Sequence, residues 1–254
     1  GSGNVYVAGA TLNASNNTTD ILVAKYNASG VQQWINQYNG AANYYDFATA
    51  LVVDGSGNVY ITGTVTNDTV NHYSDIITIK YNSSGVQQWL STYDGAAGYF
   101  DSGTDLFVNA SGGVGLVGSS MNASTNMDFV TIFYNSSGVQ QWATVYDHSS
   151  HMNDVPVNIV KKGPSIYVSG VVQTSATAYS WNVVEYNSSG VQQSVATSSG
   201  GSSNIDTLND MVTDAAGNIY SAGATSTATH GYDYDIIKLD STLVIQWEKT
   251  YDGA

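Results

Sequence analysis

The sequence predicts an all-β protein: a β-propeller of five four-stranded repeats, the first of which lacks its inner strand. Three observations predict it. One stretch, YNSSGVQQW at 81–89, recurs as YNASGVQQW at 26–34, YNSSGVQQW at 134–142, YNSSGVQQS at 186–194 and, more altered, LDSTLVIQW at 239–247. The copies are spaced by 52 to 55 residues, the period of a sheet-per-repeat array. Between them lie short runs rich in Val, Ile, Tyr and Thr, bounded by Gly, Asn and Asp, with no sustained helical period. Four such runs in a repeat of this length are the signature of a propeller blade.

The second repeat shows the elements in order. Ala48 to Val53 (ATALVV) is the first strand, and Asp54 to Gly57 a tight turn whose glycines supply positive φ. Val59 to Val65 is the second strand, followed by a polar loop, Thr66 to Ser74. Asp75 to Tyr81 is the third, Asn82 to Gly85 a second tight turn, and Val86 to Tyr93 the fourth. By the same alignment the repeats cover approximately 1–40, 46–95, 101–147, 153–199 and 206–254, as one domain. The chain enters at the second strand of its first repeat, which leaves nineteen strands. The open slot is expected to be filled by a flanking segment, by a neighbouring molecule through strand addition, or not at all.

Composition sets the partner classes. Hydrophobic residues make up 42% of the 254 residues, so the chain can bury a core. Only 10% are charged, and the net charge is −14. Nucleic acid is excluded as a partner, because phosphate contacts need a basic face. There is no cysteine, hence no disulfide framework and no Cys-based zinc site. No run of eighteen apolar residues offers a membrane span.

The pattern D-x-A-x-x-L-x-V-D-x-x-G-N-V-Y-x-x-G at Asp46 to Gly63, followed by D-I-x-x-x-K-Y-N-x-S-G and a Trp at Asp75 to Trp89, resembles the SBBP family of bacterial and archaeal β-propeller repeats. The resemblance covers essentially the whole chain. It is weakest in the fourth repeat, where Pro156, Lys161, Lys162 and Ser194 depart from it. It implies a secreted or cell-surface protein and does not imply an activity.

Antiparallel order puts the short DGSGN and YNxSG turns at one end of each sheet and the longer, variable loops and links at the other. Variable loops on a rigid scaffold are where sites are built. The links carry Tyr44-Tyr45-Asp46 and Tyr99-Phe100-Asp101. A ring beside a carboxylate suits a sugar, the ring stacking on a pyranose and the acid taking hydroxyls. The same acids, with Asp206, also suit a structural task, accepting backbone N–H groups where each first strand begins. His148, His151 and Asp154 form the one metal-like cluster. No cofactor is expected, calcium being the ion that the oxygen-rich loops would suit best.

Glycosylation sequons stand at Asn13, Asn16, Asn17, Asn27, Asn67, Asn82, Asn109, Asn122, Asn135 and Asn187. Four of them, at 27, 82, 135 and 187, occupy the same turn in successive repeats. No nucleophile elbow, P-loop or dinucleotide fingerprint is present. The expectation is therefore a non-catalytic extracellular or cell-surface glycoprotein, a structural or interaction module whose partners are copies of itself or other surface proteins. The alternatives are a carbohydrate-binding propeller and a polysaccharide hydrolase or lyase, both using the variable ends.

Overall fold

The computed structural model describes residues 3–197, 206–227 and 231–252. The last residues of the expected fourth and fifth repeats, 198–199 and 253–254, lie outside them. Among the described residues every regular element is a strand, so no helix is long and apolar enough to cross a membrane.

The nineteen described strands form five antiparallel sheets in chain order. The first has three strands, β1 (Val5–Asn13), β2 (Thr18–Tyr26) and β3 (Gln32–Tyr38). The second holds β4 (Phe47–Val53), β5 (Val59–Thr66), β6 (Ser74–Tyr81) and β7 (Gln87–Tyr93). The third holds β8 (Asp101–Val108), β9 (Val114–Met121), β10 (Met127–Tyr134) and β11 (Gln140–Tyr146). The fourth holds β12 (Asp154–Lys162), β13 (Ser165–Gln173), β14 (Tyr179–Tyr186) and β15 (Gln192–Thr197). The fifth holds β16 (Asp206–Thr213), β17 (Ile219–Thr227), β18 (Gly231–Leu239) and β19 (Ile245–Tyr251). Strand bounds in the second sheet fall within one residue of those read from the pattern.

The chain divides into two compact units, one of residues 1–124 with 133–141, the other of 125–132 with 142–254. Each has its own core. In the first, Ile21 and Val23 of β2 pack with Val59, Ile61, Ile77 and Ile79 of β5 and β6. In the second, Trp181, Val183, Met211, Ile219 and Leu239 form the buried cluster. The central strands carry the burial. β5 is buried along its whole length, whereas β7 is exposed at its start and nowhere fully buried, as befits an outer strand.

Two packing devices account for the recurring letters. The first is a bulge at the same place in each first strand, where pairing slips at Ala48/Ala50, Gly103/Asp105, Pro156/Asn158 and Leu208/Asp210. It drives a backbone carbonyl toward the facing strand. A Cβ on Gly63, Gly118, Gly170 or Gly223 would overlap Phe47 O, Ser102 O, Val155 O or Thr207 O respectively. That is why a glycine ends each NVYITG-like run. Gly9, the counterpart in the three-stranded sheet, has open space above it.

The second device joins consecutive repeats. Trp34 lies over the turn at Gly85, Trp89 over Gly138 and Trp142 over Gly190; an added Cβ would sit 2.8, 2.7 and 2.6 Å from the three indoles. Each of these glycines has φ between +77° and +83°. The indole nitrogens donate to Ser83 O, Ser136 O and Ser188 O at 3.0 to 3.2 Å. Where the fourth repeat has Ser194 in place of Trp, the next turn has Leu243 in place of Gly, buried in the second unit's core at φ +64°. Tyr167 Oη then supplies the hydrogen bond to the equivalent carbonyl, Ser241 O, at 3.0 Å.

Candidate functional site

The links between sheets place an acid at the start of each first strand. Asp46 is fully buried, and both its oxygens are engaged: Gly40 N–H donates to Oδ2 at 2.5 Å and Thr66 N–H to Oδ1 at 2.8 Å. Asp101 accepts Gly95 N–H on Oδ2 at 2.6 Å, and Asp154 accepts His148 N–H on Oδ2 at 2.7 Å. Asp206 accepts the Thr225 hydroxyl at 2.6 Å. Burial, the largest influence, pushes the carboxyls of Asp46 and Asp101 above their ordinary value and that of Asp154 up to about 7.

These acids do not stand alone. A carboxylate oxygen from each of Asp75, Asp94 and Asp101 lies within 4.8 Å of the other two, and Asp128, Asp147 and Asp154 make the same arrangement one repeat later. Each triad takes one residue from the start of a third strand, one from just beyond a fourth strand, and one from the start of the next first strand. His148 and His151 are not members. His148 Nδ1 faces Ser150 Oγ at 2.9 Å, and burial holds its pKa below the ordinary histidine value. His151 Nδ1 meets Asp147 Oδ2 at 2.7 Å, and that bond raises it. The structure thus gathers Asp154 with two other carboxylates, not with the two imidazoles.

The aromatic residues of the links meet rings from the β5–β6 loop. Tyr44 stacks on His72, centroids 4.3 Å apart and planes at 14°, and meets Tyr45 edge-on at 4.8 Å. Tyr73, the next residue after His72, stands edge-on to Tyr99 and Phe100 at 5.2 and 5.1 Å. Tyr44, Tyr45 and Phe100 are 37%, 47% and 42% exposed. The rings of the first unit therefore form two partly exposed groups, Tyr44 with Tyr45 and His72, and Tyr73 with Tyr99 and Phe100, joined where His72 precedes Tyr73 in the chain, with Asp75 and Asp94 close by in sequence. The side chain of Asp46 turns inward to the backbone and Asp101 is buried, so these two acids support the surface from beneath.

The sequon asparagines divide by what their amides do. At 27, 82, 135 and 187 the side-chain oxygen accepts two backbone N–H groups of its own turn, as in Val31 and Ser29 to Asn27 or Val86 and Ser84 to Asn82. The turn itself accounts for the asparagine there. Asn109 and Asn122 accept turn N–H groups likewise. The Nδ2 groups of Asn13, Asn16 and Asn67 donate to Asp20, Asn43 O and Asp75, and Asn17 sits in a left-handed turn.

His72 and Tyr73 were missed in the sequence because they lie in the loop that differs most between repeats. Asp94, Asp128 and Asp147 carried a signal: Asp20, Asp75 and Asp128 recur at one repeat position, Asp94 and Asp147 at another.

Residues 33–68 match the family model of the SBBP beta-propeller repeat. No curated protein sequence matches the chain. Solved structures that resemble it include a levansucrase variant of B. megaterium, with 8% identity, 99% of this chain and 82% of that one covered, and a TM-score of 0.52. A levansucrase variant of Bacillus subtilis has 10% identity, 99% and 84% coverage, and a TM-score of 0.51. A protein of unknown function from Dyadobacter fermentans has 11% identity, 81% and 69% coverage, and a TM-score of 0.54. At these identities the likeness is one of fold.

One expectation is corrected here. The sequence led to a non-catalytic structural module, but the similar solved structures are mostly enzymes, levansucrases among them. A repeated, regular architecture is no argument for an inert one: the repeat fixes the sheets, while loops at one end vary independently of them.

Proposed function

We propose that this protein is a carbohydrate-binding β-propeller, its five sheets acting as blades and the link ends of its first unit as the binding surface. The observation that carries the reading is the pair of ring groups, Tyr44 with Tyr45 and His72, and Tyr73 with Tyr99 and Phe100, adjacent in the chain at His72 and Tyr73. Rings exposed on one side and fixed by one another on the other offer apolar faces to pyranose C–H groups at little entropic cost. The levansucrases add only that the fold is compatible with carbohydrate chemistry. In this reading the protein works outside the cell, where glycans are displayed, and its sequon turns are open to modification.

The test is titration of soluble polysaccharides and a glycan array with the native chain, then with Tyr44→Ala and Phe100→Ala. Loss of one stacking ring is expected to weaken binding by about tenfold, on the order of 1–2 kcal/mol. Native chain that binds no glycan, or variants that bind unchanged, would sink the reading.

A further inference from the structure

We propose that Asp128, Asp147 and Asp154 bind a calcium ion, and that Asp75, Asp94 and Asp101 form a second site of the same design. The proposal does not rest on the carbohydrate reading.

Three carboxylates whose oxygens lie within 4.8 Å of one another repel unless a proton or a cation joins them. The decisive observation is separate from that crowding. Asp154 is fully buried, yet its Oδ1 accepts no hydrogen bond; Oδ1 of buried Asp101 accepts none either, although the Ser120 side chain favours the charged carboxylate there. A buried carboxylate oxygen without a donor is costly and calls for a ligand.

The first repeat provides an internal control. There Asn39 occupies the position held by Asp94 and Asp147, so only two acids, Asp20 and Asp46, remain. Both are satisfied by the protein. Asn13 and Gln37 amides donate to Asp20, and Gly40 and Thr66 N–H groups donate to the two oxygens of Asp46. In the next two repeats the counterparts of Thr66 N–H engage backbone carbonyls, though Gln173 N–H still favours the charged form of Asp154. Met121 N–H donates to Phe100 O at 3.0 Å, and Gln173 N–H to Asn153 O at 2.9 Å. Where a third carboxylate is added, the backbone donor bonds a carbonyl, and Oδ1 of Asp101 and of Asp154 accepts no hydrogen bond. That substitution makes sense if a cation replaces the donor.

The donor set names the ion. All ligands are hard oxygens, with neither thiolate nor converging imidazole, which favours calcium or magnesium over zinc. Magnesium demands a near-ideal octahedron, whereas calcium accepts an irregular set of carboxylates. The mixture of strand and loop positions fits calcium. Asp147 also meets His151 on Oδ2.

The test uses the whole chain, stripped with a chelator. Calcium is titrated calorimetrically, and terbium, a calcium substitute, is followed by luminescence sensitised through Tyr93 and Tyr146, whose hydroxyls feel the charges of the two triads. The expected stoichiometry is two, one per triad. Asp147→Asn and Asp94→Asn alter exposed side chains and install the residue the first repeat already carries, so folding should survive. Each should remove one equivalent, weakening its site by at least about tenfold, and the double variant should remove both. No calcium binding by the native chain, or full stoichiometry in the double variant, overturns the proposal.

Discussion

At the turn ends of the sheets, one solution is used again and again. Asn27, Asn82, Asn135 and Asn187 each close the same loop with two backbone hydrogen bonds, and Trp34, Trp89 and Trp142 each cover the glycine of the next repeat. At the link ends the same repeat positions are used differently from copy to copy. Asp46 is sealed by two N–H groups, while Oδ1 of Asp101 and of Asp154 accepts no hydrogen bond. The difference teaches where this chain tolerates change. An interlocked end, where each ring needs the next glycine, penalises any single substitution. An end made of local hydrogen bonds can exchange a donor for a carboxylate without disturbing the sheets.

The sharpest break of the interlocked end is Trp89→Ala. It removes the indole over Gly138 and its bond to Ser136 O, and should cost roughly 3 kcal/mol, read from denaturant unfolding. A cost under about 1 kcal/mol would show that the ring merely shields the turn.

At the link end, Asp46→Ala leaves two buried N–H groups unpaired and should cost roughly 2–3 kcal/mol. Asp46→Asn adds a pH signature. Burial raises the folded-state pKa of Asp46, so its protonated form is the favoured one in the fold. That contribution is full below the unfolded pKa and is lost as pH rises through the folded one. The native chain should therefore gain on Asp46→Asn as pH falls from neutral. A gap that stays constant between pH 7 and pH 4 would contradict this.

The fourth repeat tests whether Trp and Gly form a unit. Ser194→Trp should destabilise while Leu243 fills the site, and Leu243→Gly should rescue it, with a coupling of about 1–2 kcal/mol in a double-mutant cycle. Additive effects would mean that the two replacements arose without compensating each other. The smallest effect belongs to a single turn. Asn82→Ala loses two exposed N–H acceptances and should lower stability by about 1 kcal/mol, visible as a small shift in thermal midpoint. A loss near that of Trp89→Ala would place the interlock in the asparagine instead.

Much of the fold was readable from the chain because it depends on local and periodic features. Alternating apolar residues set the strands, Asn and Gly set the turns, and the repeat spacing set the number of sheets. The recurrence of Gly63, Gly118, Gly170 and Gly223 was equally plain, but its cause was hidden, since the bulged carbonyl that crowds them belongs to another strand. The candidate site was half readable. Tyr44, Tyr45, Tyr99 and Phe100 stood out as ring-and-acid pairs, whereas His72 and Tyr73 had no pattern to betray them. The imidazoles of His148 and His151 drew attention by their nearness in sequence, yet the residues that converge on Asp154 are Asp128 and Asp147.

Sequence periodicity could establish the strands, the turns and the five-fold repetition, because hydrogen bonding along a strand and the alternation of its side chains are decided within a few residues. It could not establish which acids face one another or which are satisfied. Asp128 and Asp154 lie 26 residues apart, and their approach depends on how a third strand and the following first strand end against each other. Packing alone determines whether a backbone N–H bonds a carboxylate, as at Thr66, or a carbonyl, as at Met121 and Gln173.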